Sequence, residues 1–131
     1  MVARYEPATR RLVWAQAGHP PLLHVRAGGT TELPRPRGPL LGADLTVRYE
    51  TAELTMEHED LLLLYTDGLV EHRDRSLREG LAPVIATLNR ISASRLPRPL
   101  ETLLADLRRA NPDDDTCVLA ARALDPPEAA P

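Results

Sequence analysis

The 131-residue sequence predicts an α+β domain in which antiparallel strands lead, two helices follow and a last strand closes the chain. Three observations carry this. Apolar and polar residues alternate with period two, broken by Gly and Pro turns, through most of the first 60 positions. The run "LLLLY" (61–65) is continuously apolar, as in a strand covered on both faces. Beyond residue 75 the apolar spacing changes to that of a helix.

The elements follow in order. "VARYEPATRRLVWAQ" reads as strand, turn and strand. Within it, "RRLVWAQAG" (10–18) sets Leu12, Trp14 and Gln16 on one face and Val13, Ala15 and Ala17 on the other. Gly18-His19-Pro20-Pro21 ends that strand, because proline has no N–H for a ladder. "LLHVRAGGTTEL" (22–33) reads as a hairpin, with Gly28-Gly29 supplying positive φ at its turn. "TVRYETAEL" (46–54) alternates and leads through the polar turn "TMEHED" into strand 61–65, so these two strands are expected to pair antiparallel. Leu81, Val84, Ile85 and Leu88 then predict a helix over about 80–91, with Gly80 and Pro83 confining its start. "RLPRP" (95–99) reads as a linker. Leu100, Leu103, Leu104 and Leu107 predict a second amphipathic helix to about Ala110, beyond which Pro112 prevents continuation. "TCVLAARAL" (116–124) is the final strand, and "DPPEAAP" (125–131) a disordered tail.

The composition excludes several classes. The length suits one domain with a modest core at 43% hydrophobic residues and net charge −3. All 16 basic residues are arginine, scattered among acids, and aromatic residues make up only 3%, so neither a basic stripe nor a stacking platform for nucleic acid is present. No apolar window is long enough to span a membrane and no signal-like segment opens the chain, so a cytoplasmic location is expected. The single cysteine, Cys117, excludes an internal disulfide and a cysteine-rich zinc site, and is read as a small core residue.

Two acidic positions stand out. Asp67 follows the buried strand directly, in "YTDG", where an acid either caps the next turn or is held on a rigid support for chemistry. Asp113, Asp114 and Asp115 lie side by side before the last strand. Three adjacent carboxylates repel one another, a cost that a divalent cation removes; the plainer reading is a solvated loop after the helix. The ligand spacing of an EF-hand is absent. If the two strands lie side by side, acids from both converge, and hard oxygen donors of this kind suit Mg2+ or Mn2+.

"AGHPPLL" (17–23), "GPLLGADLTVRYETAEL" (38–54), "EDLLLLYTDGLVEHRD" (59–74) and "DDDTCVLAAR" (113–122) occur in an order and spacing that resemble the C-terminal part of bacterial metal-dependent serine/threonine phosphatases of the PPM superfamily, SpoIIE branch. The resemblance runs from about residue 2 to 124. It implies an antiparallel β-sandwich flanked by helices in αββα layers, here incomplete at its N-terminal side, with metals at one edge. By this likeness Asp67 matches the Asp-Gly ligand and Asp114 the second ligand, Asp115 is its neighbour, Thr116 and Cys117 begin the strand, and Asp113 is a bystander. The implied cofactor is Mg2+ or Mn2+, two ions in a complete domain, and the implied chemistry is direct attack of activated water on phosphoserine or phosphothreonine. The implied partner is a phosphorylated regulatory protein such as an anti-sigma-factor antagonist, with an upstream sensor domain possible in a longer protein.

His19, in the Ala-Gly-His-Pro stretch, either faces the site and contacts phosphate or metal-bound water, or shapes a turn through a bond from its imidazole to a backbone carbonyl. His24, His58 and His72 lack ligand spacing and are read as surface or half-buried. Glu71 and Arg73 are read as solvated charge.

The family's upstream Gly-Gly-Asp-aromatic strand, whose aspartate bridges the metals, and its Gly-Asp-x-x-Gly helix start occur nowhere in these residues. The chain therefore reads as entering in mid-fold, its first codon misassigned or its gene truncated, with unpaired edges and exposed apolar faces. Two other readings compete with the phosphatase: a catalytically inactive remnant that binds a partner through a free sheet edge, and a metal-free structural sandwich that leaves the aspartates unexplained.

Overall fold

The computed structural model describes residues 1–43, 46–71, 76–94, 99–108 and 115–124. Its strands are β1 (Val2–Glu6), β2 (Arg11–Ala15), β3 (Leu23–Arg26), β4 (Gly29–Glu32), β5 (Ala52–Thr55), β6 (Leu61–Tyr65) and β7 (Val118–Arg122). The helices are α1 (Leu77–Ser94) and α2 (Pro99–Arg108). The expected 109–110 extension of α2, residues 95–98 of the expected linker 95–99 and the tail at 125–131 lie outside the described residues, and the last residue of that linker, Pro99, opens α2 instead.

The strands form two antiparallel sheets, ordered β1-β2-β5 and β4-β3-β6-β7. In the first, Leu12 and Trp14 point inward and pair with Leu54 and Ala52 of β5. They pack in one core cluster with Leu62 of the second sheet and with Leu22 and Leu33, which flank β3 and β4, so the sheets stack face to face. In the second cluster, Leu23, Val25, Leu63 and Tyr65 meet Leu81, Val84, Leu88 and Ile91 of α1 and Leu103 of α2. The leucine run is thus explained by the period-two geometry of a strand. Leu62 and Leu64 face the partner sheet while Leu61, Leu63 and Tyr65 face the helices. The described elements supply three of the four expected layers, with both helices against the second sheet.

Several expectations are corrected. Strand 46–54 is not one strand paired to β6: only Ala52–Thr55 joins a ladder, and it pairs with β2 in the other sheet. Both edges of β6 are taken by β3 and β7. Before β5, the Glu50 N–H bonds the Arg37 carbonyl (2.9 Å) and the Tyr49 ring covers Gly38, which draws this stretch onto the loop instead of a ladder. The hairpin turn is Ala27-Gly28, because Arg26 pairs with Gly29; Gly28 alone has positive φ, +101°. Helix α1 begins at Leu77, three residues earlier than expected, because Ser76 and Glu79 form a reciprocal cap. The Glu79 carboxylate accepts from the Ser76 N–H and hydroxyl, both at 2.7 Å. Pro83 then lies within the helix, six residues after Leu77, with no N–H of its own to give to the helical ladder. Cys117 is exposed, not a core residue. Among the described residues no helix is long and apolar enough to cross a membrane.

Candidate functional site

The end of β6 and the start of β7 meet. Tyr65 pairs with Val118, and one residue further the Thr66 N–H bonds the Cys117 carbonyl at 3.0 Å. The Thr66 hydroxyl oxygen accepts from the Cys117 N–H at 3.0 Å, and its hydroxyl lies 3.4 Å from the Asp115 carbonyl. This side chain stitches the two loops together, so Asp67 and Asp115 emerge at one edge of the sheet. Sequence reasoning passed over Thr66, although a threonine between an apolar strand and an acid was the available signal.

Asp67 opens a short 3-10 turn, Asp67–Leu69, and is exposed. Its Oδ1 accepts from the Gly68 N–H at 3.0 Å, and its carbonyl accepts from Val70 and Glu71 at 2.8 and 2.7 Å. Leu69 and Val70 are buried beneath it, which anchors the turn to the helical layer. Asp67 therefore both shapes a turn and stands on a rigid support.

Asp113 and Asp114 lie outside the described residues, as do His72 and Arg73. Among the described residues no group of three or more His, Cys, Asp or Glu side chains is arranged to hold a metal ion. What is described is an exposed carboxylate, Asp67, beside the strand start that carries Asp115. These hard oxygen donors fit a magnesium- or manganese-type ion and not a thiophilic one.

His19 reaches the same end of the sheet by another route. Strand β3 runs antiparallel to β6 with Leu23 opposite Leu63; His19 lies four residues before the first and Asp67 four residues after the second. The hydrogen bond of each stays within its own turn: His19 Nδ1 lies 2.7 Å from the Pro20 carbonyl oxygen. Gly18, at φ +81°, makes the turn, and the Leu40 side chain packs where a Cβ would stand.

The opposite end of β6 holds a polar cluster that sequence reasoning missed. His24 is 6% exposed, not a surface residue, and its Nε2 lies 2.9 Å from Asp60 Oδ2. Asp60 is 1% exposed and also accepts from Arg26 Nε and Nη2 (2.7 Å for the latter) and from the Glu57 N–H at 2.7 Å. Burial pushes the Asp60 pKa up, but the bonds from Arg26, Glu57 and His24 outweigh it and hold the carboxyl below its ordinary value. A recess of 470 Å³ adjoins this end, lined by Val25, Arg26, Glu59, Leu61, Leu88 and Arg122 among others. It lies far from Asp67 along β6.

Residues 1–124 match the family model described as Stage II sporulation protein E (SpoIIE). The phosphoserine phosphatase RsbP of Bacillus subtilis is 33% identical over 64 residues, covering 49% of this chain. The chain spans only 16% of the length of that relative. The solved structure of the RsbU and RsbW domains of a Mycobacterium tuberculosis protein superposes with TM-score 0.77 at 24% identity, over 95% of this chain and 37% of that one. The phosphatase domain of the Bacillus subtilis cell-fate determinant SpoIIE, presoaked with manganese, gives 0.63 at 13% identity, over 95% and 55%. These structural likenesses establish the fold, two stacked antiparallel sheets with helices.

Proposed function

Because the chain belongs to the SpoIIE family, we propose that it carries part of the metal edge of a Mg2+- or Mn2+-dependent protein serine/threonine phosphatase. Its domain is assigned to residues 1–124. The reaction is hydrolysis of phosphoserine or phosphothreonine on a regulatory protein, such as an anti-sigma-factor antagonist. The supporting observation is the closure of β6 on β7 through Thr66 and Cys117, which brings Asp67 and Asp115 to one sheet edge. In this reading Asp67 and Asp114 are metal ligands and Asp113 is not. Divalent ions held by these carboxylates would lower the pKa of a water and so supply the nucleophile for attack at phosphorus. The chain's own contribution is to hold the Asp67 carboxylate at the end of a strand that is packed on both faces.

Calorimetric titration with Mn2+ tests the ligand set. Asp67→Asn and Asp114→Asn each remove one unit of charge from the ions and are expected to weaken binding by about tenfold or more, ~1.4 kcal/mol. Their effects should be non-additive, since both address the same ions. Asp113→Asn should act only through a salt-screened field. Equal damage from Asp113→Asn and Asp114→Asn, or unchanged binding by Asp67→Asn, would show the shared site to be wrong.

A further inference from the structure

The Pro20 carbonyl is a shared acceptor. His19 Nδ1 lies 2.7 Å from it and the Gln16 side-chain Nε2 donates to it at 3.2 Å. A carbonyl oxygen has no proton to give, so the short contact requires the proton on His19 Nδ1. In a neutral imidazole the lone pair is then on Nε2, and among the described residues no hydrogen bond occupies that atom. The carbonyl itself is held firmly. Pro20 and Pro21 fix two successive φ angles, and Gln16 is 5% exposed at the end of β2. The other end of that amide, Gln16 Oε1, is buried with no partner among the described residues, so the side chain is not placed there by a fully satisfied network.

We propose that Gln16 is a positioning residue. It pins the Pro20 carbonyl so that His19 is locked as its Nδ1–H tautomer and offers Nε2 as a hydrogen-bond acceptor at the sheet end that also carries Asp67. The chemical consequence rests on the phosphatase reading: a neutral His19 in this tautomer accepts a hydrogen bond from the attacking water and cannot donate one to a phosphate oxygen. The tautomer does not rest on that reading.

Long-range proton–nitrogen correlation NMR of the 15N-labelled chain reads the tautomer directly. The His19 signals among the four histidines are assigned by their loss in His19→Gln. The neutral ring should show Nδ1 protonated and Nε2 bare, with an excess of about fivefold or more, the ratio that one ordinary hydrogen bond supports. An Nε2–H ring, or an even mixture, overturns the proposal. Gln16→Glu keeps the side chain's shape and removes its N–H donor, and Gln16→Leu removes both polar ends. Each should erode the Nδ1–H excess while His24, remote from this turn, keeps its signals, a selectivity that general unfolding would not produce. An unchanged ratio in both variants removes Gln16 from the role. No metal is needed for these measurements, so a failure of Mn2+ binding counts against the phosphatase reading and leaves the tautomer result standing.

Discussion

Asp60 illustrates how one side chain can be missed in sequence and dominate in space. Its partners His24 and Arg26 are more than 30 positions away, on a strand whose polar residues look like the outer half of an ordinary alternation. In "TMEHED" the acid reads as one charge among several, and only the β3–β6 pairing reveals that it is enclosed. The folded-state pKa lies below the unfolded value, so the fold prefers the ionised form. That contribution is complete above the unfolded carboxylate value, about 4, and is lost as pH falls through the lower folded value. Asp60→Asn replaces the buried carboxylate by a neutral amide with one accepting oxygen, while Arg26 keeps the Glu57 carboxylate and the Thr55 carbonyl, and is expected to cost about 2 kcal/mol at neutral pH, within the range for hydrogen bonds to a charged group. It should also flatten the decline of stability below about pH 4. Urea unfolding of both proteins from pH 7 to pH 3 measures the two effects. Parallel pH curves would mean that the acid sensitivity originates elsewhere.

At the scale of elements, what was legible was whatever periodicity alone decides. The run 61–65 identifies a doubly buried strand, and Leu81, Val84, Leu88 and Leu103 all lie in the core beside it. Boundaries set by side-chain caps or by strand competition were not legible in that way. Ser76 and Glu79 moved the start of α1, and the loop contacts of Tyr49 and Glu50 shortened β5. Gly80 shows how the two kinds of information conflict. By propensity, alanine at a helical position should gain about 1 kcal/mol over glycine. In the fold a Cβ at Gly80 would overlap the carbonyl oxygen of Val70, which ends the turn begun by Asp67. The obstacle is backbone, so neither partner can rotate away. Gly80→Ala is therefore expected to lower stability by about 2 kcal/mol, in the upper part of the range for overpacking, and to displace the Asp67 turn. Thermal unfolding and the amide shifts of residues 67–71 would report it. A rise in Tm would mean that helix propensity outweighs the contact.

For the whole molecule, antiparallel strands followed by helices were legible from periodicity, the sandwich and its layering came only as what the family resemblance implies, and the assignment of β5 to the opposite sheet from neither. That choice depends on which edges of β6 remain free, a property no local window contains. The candidate site divides in the same manner. Asp67 could be read from its place after the leucine strand, but its alignment with β7 depends on Thr66, and the state of His19 on a proline carbonyl. Activity is a property of the same scale. Two-metal hydrolysis needs both ions held at a fixed separation, and in the resemblance that task falls to an aspartate in a Gly-Gly-Asp-aromatic strand, a pattern absent from these 131 residues. Asp67 and Asp114 would then hold ions from one side only, with geometry left to solvent. The purified 131-residue chain is accordingly expected to bind Mn2+ weakly and to hydrolyse p-nitrophenyl phosphate at a rate indistinguishable from its own Asp67→Asn variant, with Mn2+ in excess. The variant is the needed control, because free Mn2+ and trace contaminants hydrolyse the ester equally in both samples. Turnover about tenfold above that variant, a difference of ~1.4 kcal/mol in barrier, would overturn the expectation and require another residue of this chain to bridge the ions.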